Sequence, residues 1–312
     1  MNMIEPPRLL SQMTGGNEQQ FFDDYWRKRT LLAKGCFPQL DQYYSASEFL
    51  EDYRRLDYHN ATFLIVISNN EANERHFEVP KNWVAVEGAL KQGIPMAVLA
   101  LNLPEGFTQR PRRWDHFISF HESLRNYVCG DFPILPRGQV YDYLATASVD
   151  FFYTSPKCQE TTTGGHYDTG DVFYFVLEGE KEWTVEFCPD SETTKSLQRL
   201  PGGKLNLTSA DRSPVREHMD VTLTPGDCLY VPPYTYHRVR SNGASLAVSL
   251  GLPTFNEVTL LGYHLMQLQF SKTLYDPLPS FPHTHGNLHA TANEETRSRM
   301  LAVLNALADS FR

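Results

Sequence analysis

His166 and Asp168 stand two residues apart in TTTGGHYD, and His237 follows about seventy residues later in TPGDCLYVPPYTYHRV. On a strand, side chains two apart point to the same face. An imidazole and a carboxylate can therefore converge on one ion. With His237 they would make a two-histidine, one-carboxylate face. That face suits Fe(II) and leaves three coordination positions open, whereas thiolates would suit zinc. Taken singly, each is an ordinary core residue, and the flanking residues raise the set above that. Gly164-Gly165 allows close backbone approach. Pro225-Gly226-Asp227 is a turn, and Pro232-Pro233 steers the chain toward His237.

These residues must sit on strands. From Gln139 to Leu252 the pattern is one of short strands separated by Gly, Pro and Asp turns. Val149–Thr154, Asp171–Leu177, Glu182–Phe187, Val221–Leu223, Cys228–Val231 and Leu246–Leu250 all read this way. Several short strands closing on a metal suggest a double-stranded β-helix of the cupin or jelly-roll kind. The polar stretch Ser191–Asp220 reads as an insertion between its halves. The expected fold is mainly β with helical additions.

The helices lie at the two ends. Phe21–Leu32 starts helical, with Phe21, Phe22, Tyr25 and Trp26 on one side. Ser45–Tyr53 opens on a capping box, Ser45 with Glu48 three residues on. Asn82–Gln92 and Trp114–Tyr127 are helical, and Ala61–Ser68, Phe77–Val79 and Ile94–Leu101 are strands. After Pro253 the pattern returns to helix in Glu257–Leu274 and Glu294–Leu307. The organisation is a loose lead-in over 1–20, one domain over 21–254 and a helical segment over 255–312. That last segment is apolar on more than one face, so a homodimer through it is expected.

The 312 residues carry a net charge of −9, with 41% hydrophobic and 12% aromatic residues. The acidic balance, with a pI near 5.7, argues against nucleic-acid binding by bulk charge. It is compatible with a basic protein or peptide as substrate. Five cysteines without a CxxC point to reduced, mostly buried thiols. No apolar run approaches the about 18 residues of a membrane span, and the N-terminus has no signal-peptide pattern. A cytoplasmic location without membrane attachment is expected. The Arg110, Arg112 and Arg113 cluster reads as a helix lead-in. The His283, His285 and His289 segment lacks the carboxylate or thiol of a metal site.

SVDFFYTSPKCQETTTGGHYDTGDVFYFVLEGEKEW and LTPGDCLYVPPYTYHRV resemble the Jumonji C and cupin-like 2-oxoglutarate oxygenases. The likeness is greatest to the ribosomal oxygenase branch, and FFDDYWRKRTLLAKGCFP is similar to that branch's opening. The resemblance implies Fe(II), 2-oxoglutarate and O2 as metal and co-substrates, with His166, Asp168 and His237 as the iron ligands. It implies that Lys181, fifteen residues after His166, pairs with the far carboxylate of 2-oxoglutarate. A dicarboxylate held by its keto-acid end needs a cation at the other. Thr163, Ser249 and Thr154 match polar pocket positions. Where some relatives place an amide and a phenol, this chain has Phe152 and Thr154. After Thr254 there is room for helices but not for the branch's winged-helix domain.

The resemblance thus implies an oxygenase that hydroxylates a C–H bond of a protein or peptide side chain, turning 2-oxoglutarate into succinate. The alternatives are an oxygenase acting on a free amino acid or specialised metabolite, a metal-cupin enzyme without 2-oxoglutarate, and a non-catalytic cupin-fold binding protein. Lys181 has a clear purpose only with 2-oxoglutarate.

Overall fold

The structure is a computed structural model. It describes residues 5–38, 40–56, 64–67, 74–77, 82–100, 110–129, 148–158, 161–168, 170–188, 204–206, 215–252, 305 and 308. Met1–Thr254 and Phe255–Arg312 are two compact units. In the first, every strand pairing is antiparallel.

The strands in chain order are β1 (Leu31–Ala33), β2 (Leu64–Ile67), β3 (Glu74–Phe77), β4 (Met96–Leu99), β5 (Ser148–Thr154), β6 (Thr161–Asp168) and β7 (Asp171–Glu178). They continue with β8 (Lys181–Phe187), β9 (Lys204–Asn206), β10 (Glu217–Leu223), β11 (Cys228–Val231), β12 (Tyr236–Arg240) and β13 (Ser245–Leu252). A large sheet runs β1-β11-β7-β13-β5-β4 and a small one β10-β8-β12-β6-β9, with β2 and β3 as a separate hairpin. This is a jelly-roll core, mostly antiparallel sheet with few helices.

Two burial patterns explain the sequence of the strands. In β7, DVFYFVL is buried at every position, because the large sheet is covered on both faces. One face carries Phe151, Tyr153, Phe173, Phe175 and Val248, which share a core with residues of α1 (Pro6–Met13), α3 (Ala46–Arg54) and α5 (Arg112–Cys129). The other face looks into the barrel, where Tyr174, Val176 and Ala247 meet Trp183, Val185 and Val239 of the small sheet. In β8 the burial alternates along KEWTVEF, as it must when only one face is covered. Lys181, Trp183, Val185 and Phe187 are the buried set.

Apart from the 18-residue α5, the helical elements are short. The capping box of α3 forms: the Glu48 N–H donates to Ser45 Oγ at 3.2 Å, and the Ser45 N–H to the Glu48 carboxylate at 2.9 Å. The three-residue α2 (Glu18–Gln20) and α4 (Trp83–Lys91) both have an Asn N-cap. The expected helix over Phe21–Leu32 is a correction. Phe21–Tyr25 is a single π-helical turn, and Leu31–Ala33 becomes strand β1. Arg27 sits between them at φ 56. Its N–H donates to the Tyr230 phenol at 2.7 Å, and its guanidinium meets buried Asp171 at 3.1 Å. The aromatic spacing was right for a turn, but pairing with β11 is worth more to Leu31–Ala33 than continuing a helix.

The expected insertion Ser191–Asp220 is also narrower than its polarity suggests, since it contributes β9 and the first residues of β10. Those residues, Glu217 to Asp220, are polar except for Met219 yet pair with β8 because they form a sheet edge with one solvated face. The expected helices Glu257–Leu274 and Glu294–Leu307 lie outside the described residues, apart from helical Asn305. So do His283, His285 and His289. Cys36, Cys158, Cys188 and Cys228 are buried. The arginine cluster forms ion pairs of the helix start, Arg110 with Asp115 and Arg113 with Glu48.

Candidate metal centre

β6 and β12 lie side by side in the small sheet, and their register places His237 directly opposite His166. Asp168, two residues on from His166, is at the end of β6. One ligand atom from each of the three lies within 4.8 Å of the others, the one such cluster among the described residues. Asp168 Oδ2 is 3.6 Å from His166 Nε2 and 3.4 Å from His237 Nε2. Ligands bonded to one ion at roughly 2.0–2.2 Å sit about 3 Å apart when adjacent. The cluster needs only a small contraction to hold such an ion.

The chain orients these ligands in advance. His237 Nδ1 lies 3.0 Å from the Thr235 carbonyl. Donating there puts the proton on Nδ1 and leaves the Nε2 lone pair free for a metal. Trp183 stacks on the His237 ring, centroids 5.4 Å apart and planes at 23°. Behind the strands, Tyr236 and Tyr167 pack edge to face at 5.5 Å, with the Tyr236 phenol seated on Gly165, where a Cβ would overlap it. The two-glycine sequence before His166 serves that close approach. Burial pushes the Asp168 carboxyl up, but the His166 and His237 imidazoles outweigh it and hold the group well below the usual carboxylate range. Two imidazoles and an ionised carboxylate are a donor set that fits Fe(II).

Lys181 shares the face of the metal cluster. On β8 it is four residues from Val185, the Cα partner of His237, so the two-residue period turns it inward. It is fully buried, and its ammonium donates to Ser241 Oγ at 2.7 Å. The network runs on from Ser241 to Ser245 at 3.3 Å, and from Ser245 to Thr154 at 2.5 Å. Thr154 donates to the Gly243 carbonyl at 2.8 Å. Among the described residues no carboxylate pairs with this lysine, and burial lowers its pKa to about 7, with Cys158 opposing weakly.

A buried cation whose partner among the described residues is one neutral hydroxyl is poised to receive an anion. Among the described residues two buried donors nearby also lack partners, the Tyr174 phenol and the Trp183 indole N–H. Their rings meet at 4.6 Å. Ser249 lies opposite Tyr174 on the same inner face. These residues fit a dicarboxylate such as 2-oxoglutarate.

Of the residues singled out from sequence, the structure brings His166, Asp168 and His237 together, with Lys181 and Ser249 on the inner faces of the same barrel. Thr154 reaches Lys181 through two serines. Thr163 lies in β6 opposite Val239, and its side chain is outside the described residues. Sequence reasoning missed Trp183, Tyr174, Ser241 and Ser245. Trp183 had a signal, since it stands two residues from Lys181 and so shares its face.

Residues 129–260 match the JmjC domain family. That stretch contains His166, Asp168, Lys181 and His237, and it is similar to a JmjC domain on a jelly-roll core. Over 329 aligned residues it is 24% identical to the uncharacterized protein YxbC of Bacillus subtilis, covering 99% of this chain and 89% of that protein. It is 25% identical to ribosomal oxygenase 2 of Mus musculus over 239 residues, 76% of this chain but only 45% of that protein. YcfD, a ribosomal oxygenase from Escherichia coli solved in complex with cobalt and 2-oxoglutarate, shares the fold. The TM-score is 0.51 at 17% identity, over 93% of this chain and 66% of that one.

Proposed function

We propose that this protein is an Fe(II)- and 2-oxoglutarate-dependent dioxygenase that hydroxylates a C–H bond of a protein or peptide side chain. The observation that carries the reading is Lys181, a buried ammonium with no carboxylate partner among the described residues, on the same inner face as the His166, Asp168 and His237 cluster. A metal site alone would suit many reactions. A metal site facing an uncompensated buried cation suits a co-substrate that chelates at one end and is anionic at the other. The JmjC match and the cobalt and 2-oxoglutarate in the YcfD structure support the same reading, and the ribosomal oxygenases among the relatives support a protein substrate.

When bound, the iron and 2-oxoglutarate supply an oxidant able to attack an unactivated C–H bond, releasing succinate and CO2. The chain's own residues bind, orient and exclude water. His166, Asp168 and His237 would hold the metal on one side only. Lys181, steadied by Ser241, would take the far carboxylate, with the Tyr174 phenol and Ser249 hydroxyl as further donors. Trp183, Val185 and Val239 keep the interior apolar, which strengthens each of these charge interactions.

The test is incubation of the full chain with Fe(II), 2-oxoglutarate, O2 and a cell-extract peptide pool. Succinate formation together with +16 Da peptide products is expected. Succinate with products only among free amino acids or metabolites would overturn the protein-substrate assignment. No succinate from metal-loaded, folded protein would overturn the oxygenase reading.

A further inference from the structure

Between β1, the edge of the large sheet, and β10, the edge of the small one, lies a cleft of about 590 Å³. That volume is within the range of ligand sites. Its apolar lining comes from three strands, through Leu31 and Leu32 of β1, Val185 and Phe187 of β8, and Met219 of β10. Val185 is the Cα partner of His237 in the β8–β12 ladder. Directly opposed side chains have Cβ atoms about 4.5–5.5 Å apart. The cleft and the metal cluster therefore share a wall.

The charge at this cleft differs from that of the chain. The protein as a whole carries −9, yet the cleft is lined by Arg29 and Arg216 against Glu217 as the one carboxylate. Among the described residues neither guanidinium is in an ion pair. Arg29 lies over the Tyr25 ring at 4.6 Å, and the Arg216 backbone N–H donates to the Phe187 carbonyl at 2.9 Å. The Tyr25 ring thus holds the Arg29 guanidinium at the cleft, and the Phe187 carbonyl fixes the Arg216 backbone beside it. His218, also in the lining, is already engaged, 2.9 Å from Asp220 and 3.5 Å from Glu186. Thr30, 8% exposed, lines the same cleft with a hydroxyl that has no hydrogen-bond partner among the described residues.

β1 and β10 each have a strand neighbour on one side only among the described residues. An open edge offers backbone donors and acceptors to an extended peptide, and a guanidinium offers a two-pronged match to a carboxylate. We propose that this cleft is the substrate-recognition compartment, and that it takes a peptide with an acidic side chain next to an apolar one. The carboxylate meets Arg29 and Arg216, and the apolar side chain lies on Leu32, Val185 and Phe187. This rests on the oxygenase reading above and adds the class of substrate. It reverses what the net charge alone would suggest, because recognition follows the field inside a cleft rather than the sum over the surface.

The test is an array of immobilised random hexapeptides probed with the full chain carrying Mn(II) and a non-decarboxylating 2-oxoglutarate analogue. Bound peptides should be enriched in Asp or Glu beside Leu, Ile, Val or Phe. Arg29→Gln with Arg216→Gln should weaken the best of them by roughly tenfold or more, at unchanged Tm. Arg29→Glu with Arg216→Glu should turn the selection toward Lys and Arg. Selection of basic peptides by the natural chain, acidic selection that survives charge reversal, or binding of no peptide would each overturn the proposal. Succinate formation by the natural chain without peptide reads the oxygenase chemistry separately. Succinate without acidic-peptide selection sinks only this inference, and acidic-peptide selection without succinate sinks only the oxygenase reading.

Discussion

The Tyr236 phenol lies against Gly165, in space that any side chain at residue 165 would occupy. Gly165 immediately precedes His166 and Tyr236 immediately precedes His237, so this contact sets how closely β6 and β12 approach. Gly165→Ala should push the strands apart, cost about 1–3 kcal/mol of stability and weaken metal binding. Thermal unfolding and Co(II) titration measure the two effects. Pairing it with Tyr236→Ala should give a non-additive result, with the double variant better than the sum. Additive losses would mean that the contact does not position the histidines.

His166→Ala and His237→Ala should each reduce Co(II) affinity by at least about 10–100-fold, the loss seen even when residues supporting a ligand are changed. Far-UV dichroism should stay unchanged, because the apolar interior beside the ligands remains packed. Retention of full affinity by either variant would remove that histidine from the site.

Lys181 should give opposite effects on stability and on binding. Replacing a buried ammonium whose one partner among the described residues is a hydroxyl with Met should raise the Tm of the ligand-free protein. The same change should weaken 2-oxoglutarate binding by roughly 10–100-fold. Burial depresses the lysine to about 7, so the charged form that an anion needs is lost as pH rises through that value. The affinity of the natural chain should fall by about tenfold per pH unit above 7, with proton uptake on binding at pH 8, visible by calorimetry in two buffers. In ligand-free protein the sign is opposite. The unfolded chain holds the proton up to the ordinary lysine value of 10.5, so the contribution of Lys181 to stability rises from pH 7 to that point. A pH-independent affinity would place the cation elsewhere.

His121 ties α5 to β13. It is fully buried and its Nε2 lies 2.8 Å from the Gly251 carbonyl. Burial lowers its pKa to about 4, against a small rise from that hydrogen bond. A depressed value means the unfolded state binds the proton first. Its contribution is present above the unfolded pKa of 6.5 and is lost as pH falls toward 4. The loss should be on the order of 3 kcal/mol. Denaturant melts of the natural chain and His121→Gln across pH 4–6.5 would measure it. Parallel pH profiles would contradict the assignment.

Much of the site was readable because a strand repeats every two residues. That period alone puts His166 with Asp168, and Lys181 with Trp183 and Val185. The apolar run of β7 and the alternation of β8 were legible as strands, and the structure shows the first covered on both faces and the second on one. What the period cannot supply is the partner across a ladder. Only the tertiary structure decided that His237 faces His166, that Ser241 receives Lys181, and that Thr235 sets the tautomer of His237. These are contacts between strands brought together by pairing, not by spacing along the chain. The same limit explains Phe21–Leu32. Its aromatic pattern suits a helix, but Leu31–Ala33 join β11, a partner nearly two hundred residues away. The cleft between β1 and β10 is likewise invisible in sequence, since it belongs to two sheet edges that meet only when the barrel closes.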